Sequence, residues 1–475
     1  MNDDIPRNAL DRRRFLQLMG MAGAGVALGA CSSKTPAGSS TGSVTTTTKP
    51  AGFPIGAAAS ASSKPVPVTM WHSMTENNLV TLQKLVSTFN GSQSDVKVSL
   101  VNQSSYTDTL TTYTAALGTS NLPDLVQMES IDLQEMVDSQ SVVPAGDAVA
   151  ADTSFDLTDV LPSAIEYFKV DGTLYGMPWN ESSQIMYYNK AAFTKAGLDP
   201  TKPPATLAEY QSMSLKIVSS GAAKYGTSLK LTPSNIEDWL GQAGDLLVNN
   251  NNGRTARATS VAFEGSIGAQ LFGWYEEMFT SKAAQPTNAN NYDNLYAIAF
   301  GTAPMTIETS AALGTVLKDL SSFKNVELGV GPLPSPSSSS QGVPYGGAGL
   351  YIVKHSVPER QDGAWQFIKF LLTAPSMAAW SLGSGYIPIT KSAVTDPSLE
   401  AKWAEIPQYR VAYEMVLNTT TSAATAGAVC GPLDQIETEM QNGLTSISTG
   451  TSATSALAHT VTACNSDISS YNQRV

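Results

Sequence analysis

Residues 66–71 read VPVTMW, residues 96–101 read VKVSLV, and residues 124–128 read DLVQM. Each run is short and rich in β-branched and apolar residues, the composition of a strand. Between the first two, Leu79, Leu82, Val86 and Phe89 recur at the spacing of one helical face. A second helix is expected from about Tyr106 to Leu117. Strand, helix, strand, helix, strand in that order predicts a parallel sheet with helices on its faces. In open sheets of this kind a ligand lies beyond the carboxyl ends of the strands. Here those ends are Trp71-His72-Ser73 and Met128-Glu129-Ser130, with Tyr106 opening a helix nearby. A second run starts near Tyr175, continues through Ile185-Met186-Tyr187-Tyr188-Asn189-Lys190, and becomes mostly helical. No short-period internal repeat is present.

Upstream of the first strand the chain changes character. Arg12, Arg13 and Arg14 precede an apolar run from Leu16 to Ala30. That run is shorter and weaker than the roughly 20 strongly apolar residues a spanning helix needs. A basic start, a short apolar run and small residues before a cleavage point describe a signal peptide over 1–30. The twin arginine resembles the signal that exports folded proteins, and Leu28-Gly29-Ala30-Cys31 resembles the bacterial lipobox. Cys31 is therefore expected to be acylated and to begin the mature chain, held at the outer face of the cytoplasmic membrane. Residues 31–65, rich in Ser, Thr, Gly, Ala and Pro, read as a flexible tether.

The 475 residues leave about 410 for folded structure, too many for one compact core, so two lobes are expected. Hydrophobic content of 42% is that of a globular protein, and formal net charge is −12. An acidic chain without a basic patch argues against nucleic acid as a partner. With three cysteines and Cys31 assigned to lipid, Cys430 and Cys464 remain as a possible extracytoplasmic disulfide. They flank two amphipathic stretches, Leu433, Ile436, Met440, Leu444, Ile447 and Leu457, Val461, Cys464, Ile468, Tyr471, which read as an antiparallel helical hairpin. Enzyme signatures are lacking: there is no Gly-x-Ser-x-Gly, no His-Glu-x-x-His, only three histidines, and no glycine-rich loop opening a helix. Neither cofactor nor metal is expected. A pair of carboxylates doing glycosidase chemistry leaves no motif and is the one catalytic alternative.

Several stretches together resemble a known family. They are Trp71-His72-Ser73-Met74, Leu122-Pro123-Asp124, Tyr175-Gly176-Met177-Pro178, Tyr187-Tyr188-Asn189-Lys190, Gly346-Gly347-Ala348-Gly349-Leu350 and Gly385-Tyr386-Ile387-Pro388. In this order they resemble the extracellular solute-binding proteins of ABC importers, sugar-binding family 1, and within it the glycerol-3-phosphate and glycerophosphodiester binders. The resemblance implies an α/β, periplasmic-binding-protein-like type II fold. Two lobes joined by a hinge would close on a small solute, and a monomer would deliver it to membrane permease subunits. Lobe 1 is expected over 66–178 with a return segment near 300–350, and lobe 2 over 179–299 completed by 351–475.

Ligand contacts implied by position in that family are Trp71, Tyr106, Glu129, Ser182, Ser310, Gly347 and Tyr386, with Trp239 the nearest candidate for a second-lobe tryptophan. One departure bears on the ligand. The glycerol-phosphate binders carry an arginine near the start of a late helix, where this chain has Gly431-Pro432-Leu433-Asp434-Gln435-Ile436-Glu437. Arginine is the natural bidentate partner of phosphate, and glutamate repels it. With Glu181 and Glu308 beside the mapped serines, the site reads as neutral to acidic. That favours a sugar or polyol over a phosphate ester, unless Lys230 or Arg254 restores a cation.

Overall fold

The computed structural model describes residues 52–288 and 292–475. The expected signal at 1–30, Cys31 and the tether up to residue 51 lie outside the described residues. The rest of the tether is not free. Phe53 is buried and packs edge-on against Trp365 at 6.4 Å. The Asp362 carboxylate accepts the backbone N–H groups of Gly56 and Ala58 at 3.1 and 2.9 Å. An aromatic anchor and two captured amides order a stretch whose composition reads as linker.

The first strands and helices fall where the sequence predicts: β1 Val66–His72, α1 Glu76–Ser92, β2 Val96–Asn102, α2 Tyr106–Ala116 and β3 Leu125–Glu129. In α1, Leu82, Leu85, Val86 and Phe89 turn one face into the core. The Ser105 side chain caps α2 by accepting from the backbone N–H of Asp108. The short strand β4 Val142–Val143 follows, then β5 Met177–Ser182, β6 Gln184–Asn189 and β7 Thr227–Lys230. Helices α3 Pro233–Ala243 and α4 Ser266–Thr280 precede β8 Ala284–Thr287, β9 Met305–Thr309, β10 Leu328–Gly331 and β11 Gly346–Val353. The chain ends in helices α5 Pro358–Leu371, α6 Ala374–Ser384, α7 Leu433–Ser448 and α8 Ala453–Asn472, with shorter turns between.

Pairing separates two sheets. The first runs β2-β1-β3-β11-β4, with β5 also on β11. β1 is parallel to β2 and β3, as the strand–helix alternation predicts. β11 runs antiparallel to β3, β4 and β5. The second sheet is antiparallel, β9-β6-β10, beside the parallel pair β7–β8.

These pairings correct the expected division of the chain. β9 and β10, in the segment near 300–350, pair with β6 on the second sheet, not with the first. β11 lies at the centre of the first sheet, and α5 and α6 pack on β1 and α1, so residues 346–384 join the first layer. The reason is local. Gly347 is a ligand contact by resemblance, yet it and Gly349 are small because neighbours press close. Gly347 has φ +117, and a Cβ there would meet the carbonyl oxygen of Asn180 on β5. The terminal hairpin is as predicted, with α7 against α8 and both against α4. Its disulfide is not: Cys430 and Cys464 are buried free thiols. Cys464 lies opposite Ile436, whose carbonyl accepts from its Sγ at 3.8 Å, and Cys430 sits in the extended chain before α7. Burial raises both thiols to about 12.

Candidate ligand-binding site

A cavity of about 340 Å3 opens beyond the carboxyl ends of β1 and β3 and faces the second sheet. From the first layer come Ser73, Tyr106 at the start of α2, Glu129 at the end of β3, and Tyr386. From the second come Lys230, Glu237 and Asp238 of α3, Glu308 of β9, and Glu437 of α7. Ser182, Ser183 and Gln184, where the chain steps from β5 to β6, line it between them.

The first-layer wall is rigid. Tyr386 stacks on Trp380 at 5.3 Å, and Trp380 stacks on Trp179 at 4.6 Å, with both indoles fully buried. A chain of polar side chains holds the tyrosine hydroxyls. The N–H of Ser73 donates to Gln127 Oε1 at 3.0 Å, Gln127 Nε2 to Asn180 Oδ1 at 2.7 Å, and Asn180 Nδ2 to the Tyr106 hydroxyl at 2.9 Å. That hydroxyl lies 3.5 Å from the Tyr386 hydroxyl. Gly385, with φ +103, makes the turn that delivers Tyr386; a Cβ there would press on the Ser310 carbonyl oxygen. His72 is scaffold: its Nδ1 accepts from the Met74 N–H at 3.1 Å, and burial lowers its pKa to about 4.

The second-layer wall is acidic. Glu237, Asp238, Glu308 and Glu437 of that layer, with Glu129 of the first, line the cavity against one cation among the described residues, Lys230. Lys230 is already neutralised, with its Nζ 2.7 Å from Glu308 Oε2. Arg254 is also spent, its guanidinium donating to the backbone carbonyls of Gly427, Glu166, Lys169, Tyr167 and Ala426. Arg254 is not left to meet a phosphate, and Lys230 would meet one only beside the Glu308 carboxylate. Burial, then the charges of Asp434 and Glu237, raise the Glu129 carboxyl to about 8. Burial raises both Glu237 and Glu437, and the Glu237 charge raises Glu437 further. Beneath the cavity Glu181 is fully buried with both oxygens unpartnered, and burial holds it far above the usual carboxylate range.

Of the residues expected from sequence, Tyr106, Glu129, Ser182, Gly347 and Tyr386 meet at this cavity. Trp71 is buried in β1 and does not line it. Trp239 is a core residue: its indole N–H donates to the Pro334 carbonyl at 2.9 Å, and its ring packs on Trp274 and Tyr275. Ser310 lies just behind the wall, where its N–H donates to the Ser183 carbonyl at 2.9 Å and its Oγ accepts from the Ser183 N–H. Glu237, Asp238 and Tyr167 escaped sequence reading.

Residues 84–408 match the bacterial extracellular solute-binding protein family. The chain belongs to that family. This solute-binding protein is 31% identical over 331 residues to the sn-glycerol-3-phosphate-binding periplasmic protein UgpB of Brucella melitensis, covering 68% of this chain and 74% of that one. Against UgpB of Escherichia coli it is 26% identical over 397 residues, 81% of this chain and 88% of the relative. Its fold is shared with UgpB from Mycobacterium tuberculosis in complex with glycerophosphocholine, at TM-score 0.70 and 22% identity over 86% and 99% of the two chains. It is likewise shared with the sugar-binding protein MalE of Xanthomonas citri, at TM-score 0.71 and 21% identity over 86% and 98%. These relatives are binding proteins by name. Among the described residues of the solute-binding protein, no helix is long and apolar enough to cross a membrane.

Proposed function

We propose that the chain is the lipid-anchored capture component of an ABC importer, and that it takes a sugar or related polyol, free of phosphate, into the cavity between its two layers. The observation that carries this reading is the state of the two nearby cations: Lys230 is paired with Glu308 and Arg254 is saturated by carbonyls. A phosphate would enter a wall of acidic side chains whose lining lysine, Lys230, already carries a carboxylate. A polyol meets what it needs, carboxylate and amide acceptors with tyrosine faces on which a ring can lie. The roles given to Tyr106, Glu129, Ser182, Gly347 and Tyr386 are contacts to such a ligand. No covalent step is assigned to them, so the solute leaves unchanged for the permease.

The lobes on this reading are 66–182 with 346–394, and 184–331 with 433–472, joined at Ser183 and at the later crossovers. Anchoring rests on the Arg12-Arg13 and Cys31 signals and is checked by mass spectrometry of the exported chain: Cys31→Ser should abolish acylation. Names of the relatives favour a second reading, a glycerophosphate ligand on the same fold. Calorimetric titration of the purified protein separates the two. Sugars or polyols should bind and glycerol 3-phosphate should not; tight binding of glycerol 3-phosphate would refute the proposal.

A further inference from the structure

Two carboxyls in the cavity wall are not explained by a neutral sugar. Glu237 on α3 and Glu437 on α7 both line it, and the Glu237 charge adds to burial in raising the Glu437 carboxyl. Among the described residues no lysine or arginine forms an ion pair with either. Glu237 Oε1 is sealed from solvent and has no hydrogen-bond partner, although its residue lines the cavity. The charged and titratable groups around the pair deepen the deficit. They are Glu129 at the end of β3, Asp434 one turn earlier on α7, Asp238 next along α3, and the Tyr167 phenol, whose ring has the Arg254 guanidinium 6.0 Å from its centroid while the guanidinium donates to backbone carbonyls. Buried like charges of this density are costly unless a cation or a proton offsets them. No cluster among the described residues has the make-up of a metal site.

Paired carboxylates with an aromatic ring beside them are the chemistry that holds an organic ammonium group. We propose that the solute of this cavity is an amino sugar or amino polyol, and that Glu237 and Glu437 take its ammonium group between them with the Tyr167 ring alongside. This rests on the polyol reading above and sharpens it. In the empty cavity the pair shares a proton. When the ammonium enters, both carboxyls ionise and that proton passes to solvent. Affinity therefore rises with pH until the ligand amine itself loses its charge, and falls beyond that point.

The test is calorimetry on the full chain at mildly acidic pH. Glucosamine and galactosamine are titrated against glucose, galactose and their N-acetyl derivatives, with glycerol 3-phosphate alongside. An amino sugar should bind about tenfold or more tightly than both neutral counterparts, the factor for roughly 1.4 kcal/mol. Its binding enthalpy should vary with the ionisation enthalpy of the buffer in the sense of proton release. Glu237→Gln and Glu437→Gln should each erase the preference. Equal or tighter binding of the neutral sugars, failure of both amines to bind, a buffer-independent enthalpy, or a preference that survives both substitutions would overturn the assignment. Should a variant fail to fold, the buffer dependence of the native chain decides. Neutral sugars binding without an amine advantage sink this inference alone, whereas glycerol 3-phosphate outbinding every sugar sinks the polyol reading beneath it.

Discussion

Glu129 ends β3 with its carboxyl among other acids, and the pH behaviour of the empty protein follows from that position. An unfolded glutamate titrates near about 4.3. In the fold the group is raised to about 8, so between those values the folded chain holds a proton that the unfolded chain has lost. Its contribution to stability is full at low pH and is lost as pH rises through 8. Glu129→Gln keeps the shape and removes the titration. The melting temperature of the variant relative to the native chain should therefore climb between pH 6 and 9, by about 2 °C or more; parallel profiles would contradict the assignment. The same substitution should weaken polyol binding by up to about tenfold, as loss of one buried hydrogen bond does. Glu129 and Tyr106 were legible in sequence because one closes a strand and the other opens a helix, whereas Tyr386 came from the family resemblance alone. Glu237 was not, since only the packing of α3 across the cavity, a long-range matter, turns it inward. Trp71 and Trp239 misled for the converse reason: an aromatic side chain announces burial, but not whether the burial is against ligand or against core.

Among the elements, β11 teaches most. Its glycines permit a central strand to lie between β3 and its neighbours β4 and β5, with Phe168 and Asn180 pressed on them. Gly347→Ala demands a positive φ of an L-residue and drives a Cβ into the Asn180 carbonyl. It should cost about 2 kcal/mol or more, read by denaturant unfolding, and should disturb the Asn180–Tyr106 bond at the cavity. The parallel β1-β2-β3 core was legible because each strand has its own apolar run and each helix its own face. The antiparallel insertion of β11 was not, because a glycine-rich stretch carries no alternation to read. The α7–α8 hairpin followed from heptad-like spacing, but spacing does not determine which residue a cysteine faces. With both thiols buried and raised to about 12, they should resist a thiol reagent in the native protein and react fully in guanidinium. Native reactivity, or no reaction after unfolding, would count against free buried thiols.

At the scale of the molecule, two sheets share one cavity, and the expected motion is a rotation of one against the other. A compact chain of this length has a radius of gyration of about 22 Å. Small-angle scattering should place the solute-free protein above that value and the loaded protein nearer to it; identical profiles would argue against closure. The acidic wall should also slow anions and hasten cations on approach, so association of a cationic solute should slow as salt is added. Ser182, Ser183 and Gln184 touch the cavity and are also the step by which the chain leaves one sheet for the other. On the proposed function, selectivity and gating are thus written in the same three codons. A lineage that drifts toward a new nutrient here also drifts in how readily the trap shuts, and an engineer who retunes this protein as a sensor inherits a new baseline signal with each new taste.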